Sequence, residues 1–434
     1  MVPFQQPTTT GTQDSPSGTA YPYTTAALVI AAGLPVRFRI GFAVFGSFTL
    51  LDIVLVVAAL RLLFGILAST GRVRIGDRRV TILLAIPFLV CVGSLAWTDD
   101  LTATLRSIGM FTEAMVAYWV VTNAFGSLRP PQLFSRAALL VALLLIGSML
   151  SLLQVPAFAP QTPPNMVVGG PEHWAYLTTY YARLSNPFYG LSNDFASVLS
   201  LYVLPLLAWG VVRSKLRYSL LAGIVFAGVA LTLSRGVVIA TVAGGVLFLV
   251  AERQRLTRWL PGISVGSALV LTVAYFYYQL NEAVQTHLVD RLSITTIQVR
   301  REIFHYALQR ISEAPIVGYG AGVVTDPVLA DGVHNTYLQQ ALYYGIPLGL
   351  VCGGALWLLA ARFLTWPAQT RAVRVMAMAI GVSVLTQLAV FLVETSFEAT
   401  LPKTEFYSFA AFGSIVLAQM TREEMPTATP TQAE

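Results

Sequence analysis

Runs of about twenty apolar residues follow one another along this chain, and short clusters of arginine and lysine separate them. A helix needs about 20 mostly apolar residues to cross a bilayer. The pattern predicts spanning segments at 24–38, 41–67, 80–97, 105–125, 136–155, 193–212, 218–233, 236–251, 261–280, 337–361, 375–394 and 404–420. The expected fold is an all-α integral membrane protein of about 12 transmembrane helices. Segments 218–233 and 236–251 are short and meet at Ser234-Arg235-Gly236. A charge at the bilayer centre is costly, so a hairpin turn with Arg235 at the interface is expected there.

The ends of the chain break the pattern. Residues 1–22 are polar and rich in Pro and Thr, without the basic start and apolar core of a secretory signal. They read as a disordered cytoplasmic tail, and residues 421–434 read the same way. Between them lies a polytopic membrane domain, 23–420. With the N-terminus inside, the cytoplasmic loops hold Arg72, Arg74, Arg78 and Arg79, then Arg129 and Arg136, then Arg213, Lys215 and Arg217. They continue with Arg253, Arg255 and Arg258, then Arg362, Arg371 and Arg374, and Arg422. This is the positive-inside distribution. The outer stretches at 98–100 and 394–405 lean acidic, while Arg37 and Arg39 run against the rule.

Composition agrees. The chain of 434 residues is 56% hydrophobic and 11% charged, with a mean hydropathy of +0.68. Soluble domains carry about 25% charged residues. The net charge of +6 is spread over the loops between spans, so no nucleic-acid groove is expected. Cys91 and Cys352 both fall inside apolar segments, where a free buried thiol is expected. Neither CxxC nor HxxxH spacing occurs, and no metal site is expected.

Two outer loops are long, 156–192 and 281–336. They carry arginines on the side where the bias disfavours them: Arg183, Arg291, Arg300, Arg301 and Arg310, joined there by Arg235. Guanidinium forks match phosphate oxygens, so anion binding is the simplest account. The first loop is rich in Pro and aromatics and suits an interface or sugar stacking. In the second, Ile303, Phe304, Ala307, Leu308 and Ile311 repeat at helical spacing, which predicts an amphipathic helix over 298–313, lying on the membrane. Pro315 ends it. The glycines of the following PIVGYGAG turn allow close backbone approach and offer N–H groups for a phosphate.

Of the four histidines, His334 stands where the second loop re-enters apolar sequence, in Val-His-Asn-Thr-Tyr. An imidazole is a natural general base near neutral pH.

Several of these residues together resemble a known signature. Arg300, Phe304, Pro315, Gly318, Gly320, His334, Asn335, Leu338 and Gly345 are similar to the C-terminal signature of the O-antigen ligase and polymerase superfamily. Leu233-Ser234-Arg235-Gly236 resembles its Ser-Arg-Gly element, and Arg183-Leu-Ser-Asn-Pro its arginine loop. Nine residues separate Asn335 from Gly345, as in the ligases, but the next glycine of the tail, Gly349, comes one place late. The resemblance implies a metal-independent, cofactor-free, inverting glycosyltransferase of the bacterial inner membrane, its site facing the periplasm. The donor is a polysaccharide on undecaprenyl diphosphate. The acceptor is a sugar hydroxyl of lipid A–core for a ligase, or a second lipid-linked chain for a polymerase. The roles implied are His334 as base; Arg183, Arg235, Arg300, Arg301 and Arg291 on the diphosphate; and Asn335 and Tyr337 at the acceptor. A transporter is the rival from another class, disfavoured by the few ionisable residues in the spans and the lack of a repeat.

Overall fold

The computed structural model describes residues 21–33, 37–38, 48–68, 74, 76–152, 192–252, 272, 294–323, 329, 333–393 and 400–423. Helices dominate them. In chain order they are α1 (Tyr21–Gly33), α2 (Leu50–Ala68), α3 (Arg78–Gly93), α4 (Leu101–Phe125), α5 (Pro130–Leu152), α6 (Ser192–Arg213), α7 (Leu216–Leu231) and α8 (Arg235–Ala251). Then come α9 (Ile294–Glu313), α10 (Thr336–Leu364), α11 (Arg371–Val390) and α12 (Thr400–Glu423). Every predicted span but one meets a helix; the segment at 261–280 lies outside the described residues, Thr272 excepted, as does loop 156–192 up to Ser192. Five helical stretches among the described residues are long and apolar enough to cross a membrane: Arg78–Ala96, Pro130–Ser151, Ser192–Arg213, Thr336–Leu364 and Arg371–Val390.

Two expectations need correction. The first two predicted spans run together too closely. α1 ends at Gly33, ahead of Pro35, and Arg37–Phe38 pairs antiparallel with Phe48–Thr49 before α2 begins. Among the described residues the fold is all-helical apart from this two-residue pair. At the other end, α12 starts at Thr400, four residues ahead of the predicted span, and Lys403 and Glu405, in the stretch that leans acidic, belong to the helix and are buried. Hydropathy misses this start because these polar groups have partners. The Lys403 ammonium lies 3.6 Å from the centre of the Phe111 ring, and the Thr404 hydroxyl donates to Glu113 at 2.9 Å.

The larger apolar cluster among the described residues includes Phe134, Trp209, Phe363 and Tyr407, with the Phe134 and Trp209 rings stacked at 4.3 Å. Cys91 and Cys352 are buried within it as thiols. α6 and α11 are buried along most of their length and form its centre. One end of the bundle gathers basic loops. Arg362 pairs with Asp77 at 2.6 Å, Arg371 with Glu252 at 3.3 Å, and Arg213 with Glu423 at 3.6 Å. Arg74 and Asn123 exchange two bonds of 3.0 Å beside them. At the opposite end, α7 and α8 turn at Leu231–Arg235, with Leu233 at φ +54°, where the hairpin was expected. His334 lies at that end.

Candidate active site at the end of α11

α10 begins at the His-Asn pair because asparagine is a strong N-cap. The Asn335 carboxamide oxygen accepts from the Tyr337 and Leu338 amides, both at 3.0 Å. Its Nδ2 donates to Leu392 O at 2.9 Å. The next amide, Thr336 N, donates to Phe391 O at 2.8 Å. On the other flank, Val333 N donates to the buried Gln339 side-chain oxygen at 3.0 Å. Both neighbours of His334 are thus fixed, and His334 takes φ +53°, a left-handed conformation costly for a residue with a Cβ. Strain of this kind persists only where the surroundings over-determine it.

The last turn of α11 tightens past Val390: Leu392 N bonds Ala389 O at 3.2 Å and Val393 N bonds Val390 O at 2.9 Å. This leaves the carbonyls of Phe391, Leu392 and Val393 without acceptor duty inside the helix. Two are taken by Thr336 and Asn335. The third receives Arg300 Nη1 at 3.1 Å. Gly236 packs on the same turn, where a Cβ would meet Val393 Cγ2 at 2.5 Å. Three segments distant in sequence, from α8, α9 and α10, therefore converge on residues 391–393.

Of the arginines expected at the site, Arg300 is half-buried here and Arg235 is exposed at the start of α8. Arg301 is exposed on α9. Arg183 and Arg291 lie outside the described residues, as do His173 and His287. Arg310, also noted on the disfavoured side, is occupied otherwise: it pairs with Glu313 and lies 4.9 Å from the centre of the Tyr319 ring. Tyr337 sends its hydroxyl to Leu388 O at 3.2 Å, and its ring fills the space beside Gly353, so it ties α10 to α11.

The middle of the glycine turn after α9 is not a phosphate nest, because the N–H groups of residues 318–321 have acceptors. Gly318 N bonds Ala314 O at 3.0 Å, Tyr319 N bonds Leu342 O at 3.1 Å, Gly320 N bonds Tyr343 O at 2.9 Å, and Ala321 N bonds the Ser94 hydroxyl at 3.2 Å. The glycines serve close approach instead: Gly320 abuts Thr98, and Gly322 abuts Ser107 and Ala103. This brace repairs a break in α10. Gly345 sits at φ +76° and interrupts the helix; Leu342 O and Tyr343 O are taken by the brace, and Ile346 N is received by Pro315 O at 2.8 Å. The nine residues between Asn335 and Gly345 are thus one short helical segment held between two fixed ends. The amphipathic face of α9 packs on that segment: Ala307 and Ile311 are buried with Leu329, Val333 and Leu342. Protein, not lipid, covers this face, and Leu308 points away from it, 53% exposed.

Sequence reasoning missed residues 391–393 and Gln339. Carbonyls carry no side-chain signature, and only the predicted end of the span near 394 placed that turn on the His334 side. Glu394 and Glu398, just beyond it, lie outside the described residues.

Residues 219–353 match the family described as O-Antigen ligase. The matched range takes in Ser234, Arg235, Arg300, Arg301, His334, Asn335, Tyr337 and Gly345; it stops short of Phe391–Val393. No curated protein matches the chain.

Proposed function

We propose, from the placement of residues 219–353 in the O-antigen ligase superfamily, that the chain is an O-antigen ligase. In this reading about twelve helices cross the bacterial inner membrane, and the His334 end faces the periplasm. The basic loops gathered at the other end support that orientation.

The reaction joins a polysaccharide on undecaprenyl diphosphate to a sugar hydroxyl of lipid A–core. A hydroxyl is a weak nucleophile. His334 takes its proton while the oxygen attacks the anomeric carbon from the face opposite the diphosphate. The new C–O bond forms as the bond to the phosphate oxygen breaks, and the configuration inverts. Negative charge grows on the departing lipid diphosphate, and Arg235 and Arg300 stabilise it. Arg183, Arg291 and Arg301 are further candidates from sequence. Asn335 holds the backbone around His334; its Oδ1 and Nδ2 are both engaged in doing so. The observation that carries this reading is the convergence of the Arg235, Arg300 and His334-Asn335 segments on one turn.

Polymerase activity is the second reading, kept in view by the displaced Gly349. Purified protein given lipid-linked donor with lipid A–core separates the two. Transfer to lipid A–core supports the ligase. Growth of the lipid-linked chain with no such transfer means a polymerase, and neither product removes both readings.

A further inference from the structure

The exposed side of α9 is polar. Arg301, Glu302, His305, Gln309, Ser312 and Glu313 stand on it, with Leu308 the one apolar exception among the described residues. Directly after Ala314 the pattern reverses. Pro315, Ile316 and Val317 are all exposed, Ile316 by 71%. Gly318 is buried again, and Tyr319 lies back beside Arg310 and Glu313. A water-facing helix that ends in a protruding apolar tip calls for an apolar medium around the tip.

The neighbour of the tip identifies that medium. The tip docks on the break in α10: a Cβ on Gly345 would overlap Ile316 O, and Ile346 N donates to Pro315 O at 2.8 Å. From Ile346 onward one side of α10 is exposed, with Ile346, Leu350, Trp357 and Leu358 on it, while Gly349, Cys352 and Leu356 on the other side are buried. Thr336–Leu364 is long and apolar enough to cross a membrane, so the exposed side is its lipid face. Ile316 and Val317 stand beside the first residue of that face. Polar groups at the base of the tip fix its depth. Glu313 pairs with Arg310 on one side, and on the other the exposed Asp99 sends its amide to Tyr319 O at 3.3 Å. Charges avoid hydrocarbon, and a tyrosine suits the boundary. The apolar stretch is therefore short, three residues between two polar flanks.

We infer that residues 315–317 form a wedge inserted into the hydrocarbon of the leaflet on the His334 side, its partner the lipid chains beside α10. The apolar face of α9 is closed off by protein, and the lipid contact passes to the turn that follows the helix. Through Pro315 O and Ile316 O the wedge bears on the Gly345 break, so lipid takes part in holding the segment that starts at Asn335. The inference rests on α10 crossing a bilayer and not on the transfer reading.

The test uses the full chain in vesicles of phosphatidylethanolamine and phosphatidylglycerol, with a nitroxide attached to Ile316→Cys. Ser312→Cys and Leu350→Cys serve as the references for water and lipid. Cys91 and Cys352 are buried, and any label taken up by the wild-type protein is subtracted. Collisions with oxygen, which concentrates in hydrocarbon, are compared with collisions with a water-soluble nickel chelate. Position 316 is expected to follow position 350, open to oxygen and shielded from nickel, with position 312 reversed. Nickel access at 316 equal to that at 312 overturns the wedge, because the turn then stands in water. Low access of both reagents to 316 overturns it too, because protein, from this chain or a partner, then covers the tip. Nickel access at 350 removes the lipid face of α10 and the wedge with it. If Ile316→Cys does not accumulate, Val317→Cys takes its place under the same criteria.

Discussion

The Asn335 side chain donates to the Leu392 carbonyl at 2.9 Å while its own oxygen caps α10. One carboxamide thereby joins the start of one helix to the end of another, next to His334. The two halves of the carboxamide are separable. Asn335→Asp keeps the capping oxygen and loses the donor, placing a carboxylate against a carbonyl. Asn335→Ala loses both and costs about 1 kcal/mol for the cap alone. Glycan transfer is expected to fall in both, with thermal stability closer to wild type in the aspartate variant at pH values where its carboxylate caps. Full transfer by Asn335→Asp removes the Leu392 contact from the mechanism.

His334 itself is held in a left-handed conformation. His334→Ala and His334→Gly are both expected to be inactive. The glycine variant, free of the Cβ penalty, should be the more stable of the two by about 1 kcal/mol. Equal melting temperatures mean the conformation is relaxed at no cost, and strain then has no part in placing the imidazole.

Gln339 fixes the residue before the histidine. Gln339→Met removes the acceptor for Val333 N and keeps the bulk. Turnover is expected to drop with KM little changed, and hydrogen exchange at the Val333 amide to quicken. Gln339→Glu, which keeps an acceptor oxygen, should recover part of the turnover. A rise in KM alone would falsify a role through His334.

The arginines differ in how they are committed. Arg235→Ala and Arg300→Ala are each expected to lower transfer by about 10²–10³-fold, as loss of a donor to developing charge does elsewhere. Arg310→Ala, whose side chain pairs with Glu313 and Tyr319, should leave turnover within about threefold. Turnover measured on purified variants of equal thermal stability decides.

At the far end, Asp77 caps α3 and receives Arg362 at 2.6 Å. Burial pushes its carboxyl up; the Arg362 hydrogen bond and charge and the Val80 and Arg79 amides outweigh that and hold it below the ordinary 3.8. A carboxyl lowered on folding stabilises fully above its unfolded value and loses that contribution as pH falls through the folded one. Asp77→Asn is therefore expected to destabilise by about 1–3 kcal/mol at neutral pH. The gap to wild type should close only below pH 3.8. Unfolding in detergent followed against pH reads this directly, and a gap closing near pH 6 points to another group.

Much of this was legible before any coordinates. Apolar runs place the helices, because a bilayer demands length and hydropathy. The Ser234-Arg235 turn follows from the cost of a buried charge, and the His334-Asn335 junction from the change of polarity. Side-chain chemistry marks these positions. What stayed hidden is carried by backbone or by pairing. Carbonyls 391–393 have no residue-type signature. The glycines at 318–322 look the same in sequence whether their N–H groups face a ligand or, as here, a broken helix. The helix start ahead of Lys403 stayed hidden because hydropathy counts charges without their partners.

The three carbonyls at the end of α11 also have an electrical side. A helix C-terminus carries roughly half a negative charge, and in the proposed reaction this one opens toward the anionic leaving group. Thr336 N, Asn335 Nδ2 and Arg300 Nη1 each cover one of its oxygens. They act as a shield as much as a scaffold. Losing one removes a favourable contact and also uncovers a repulsive oxygen, so single substitutions around this turn should harm donor binding more than a count of the lost bonds suggests.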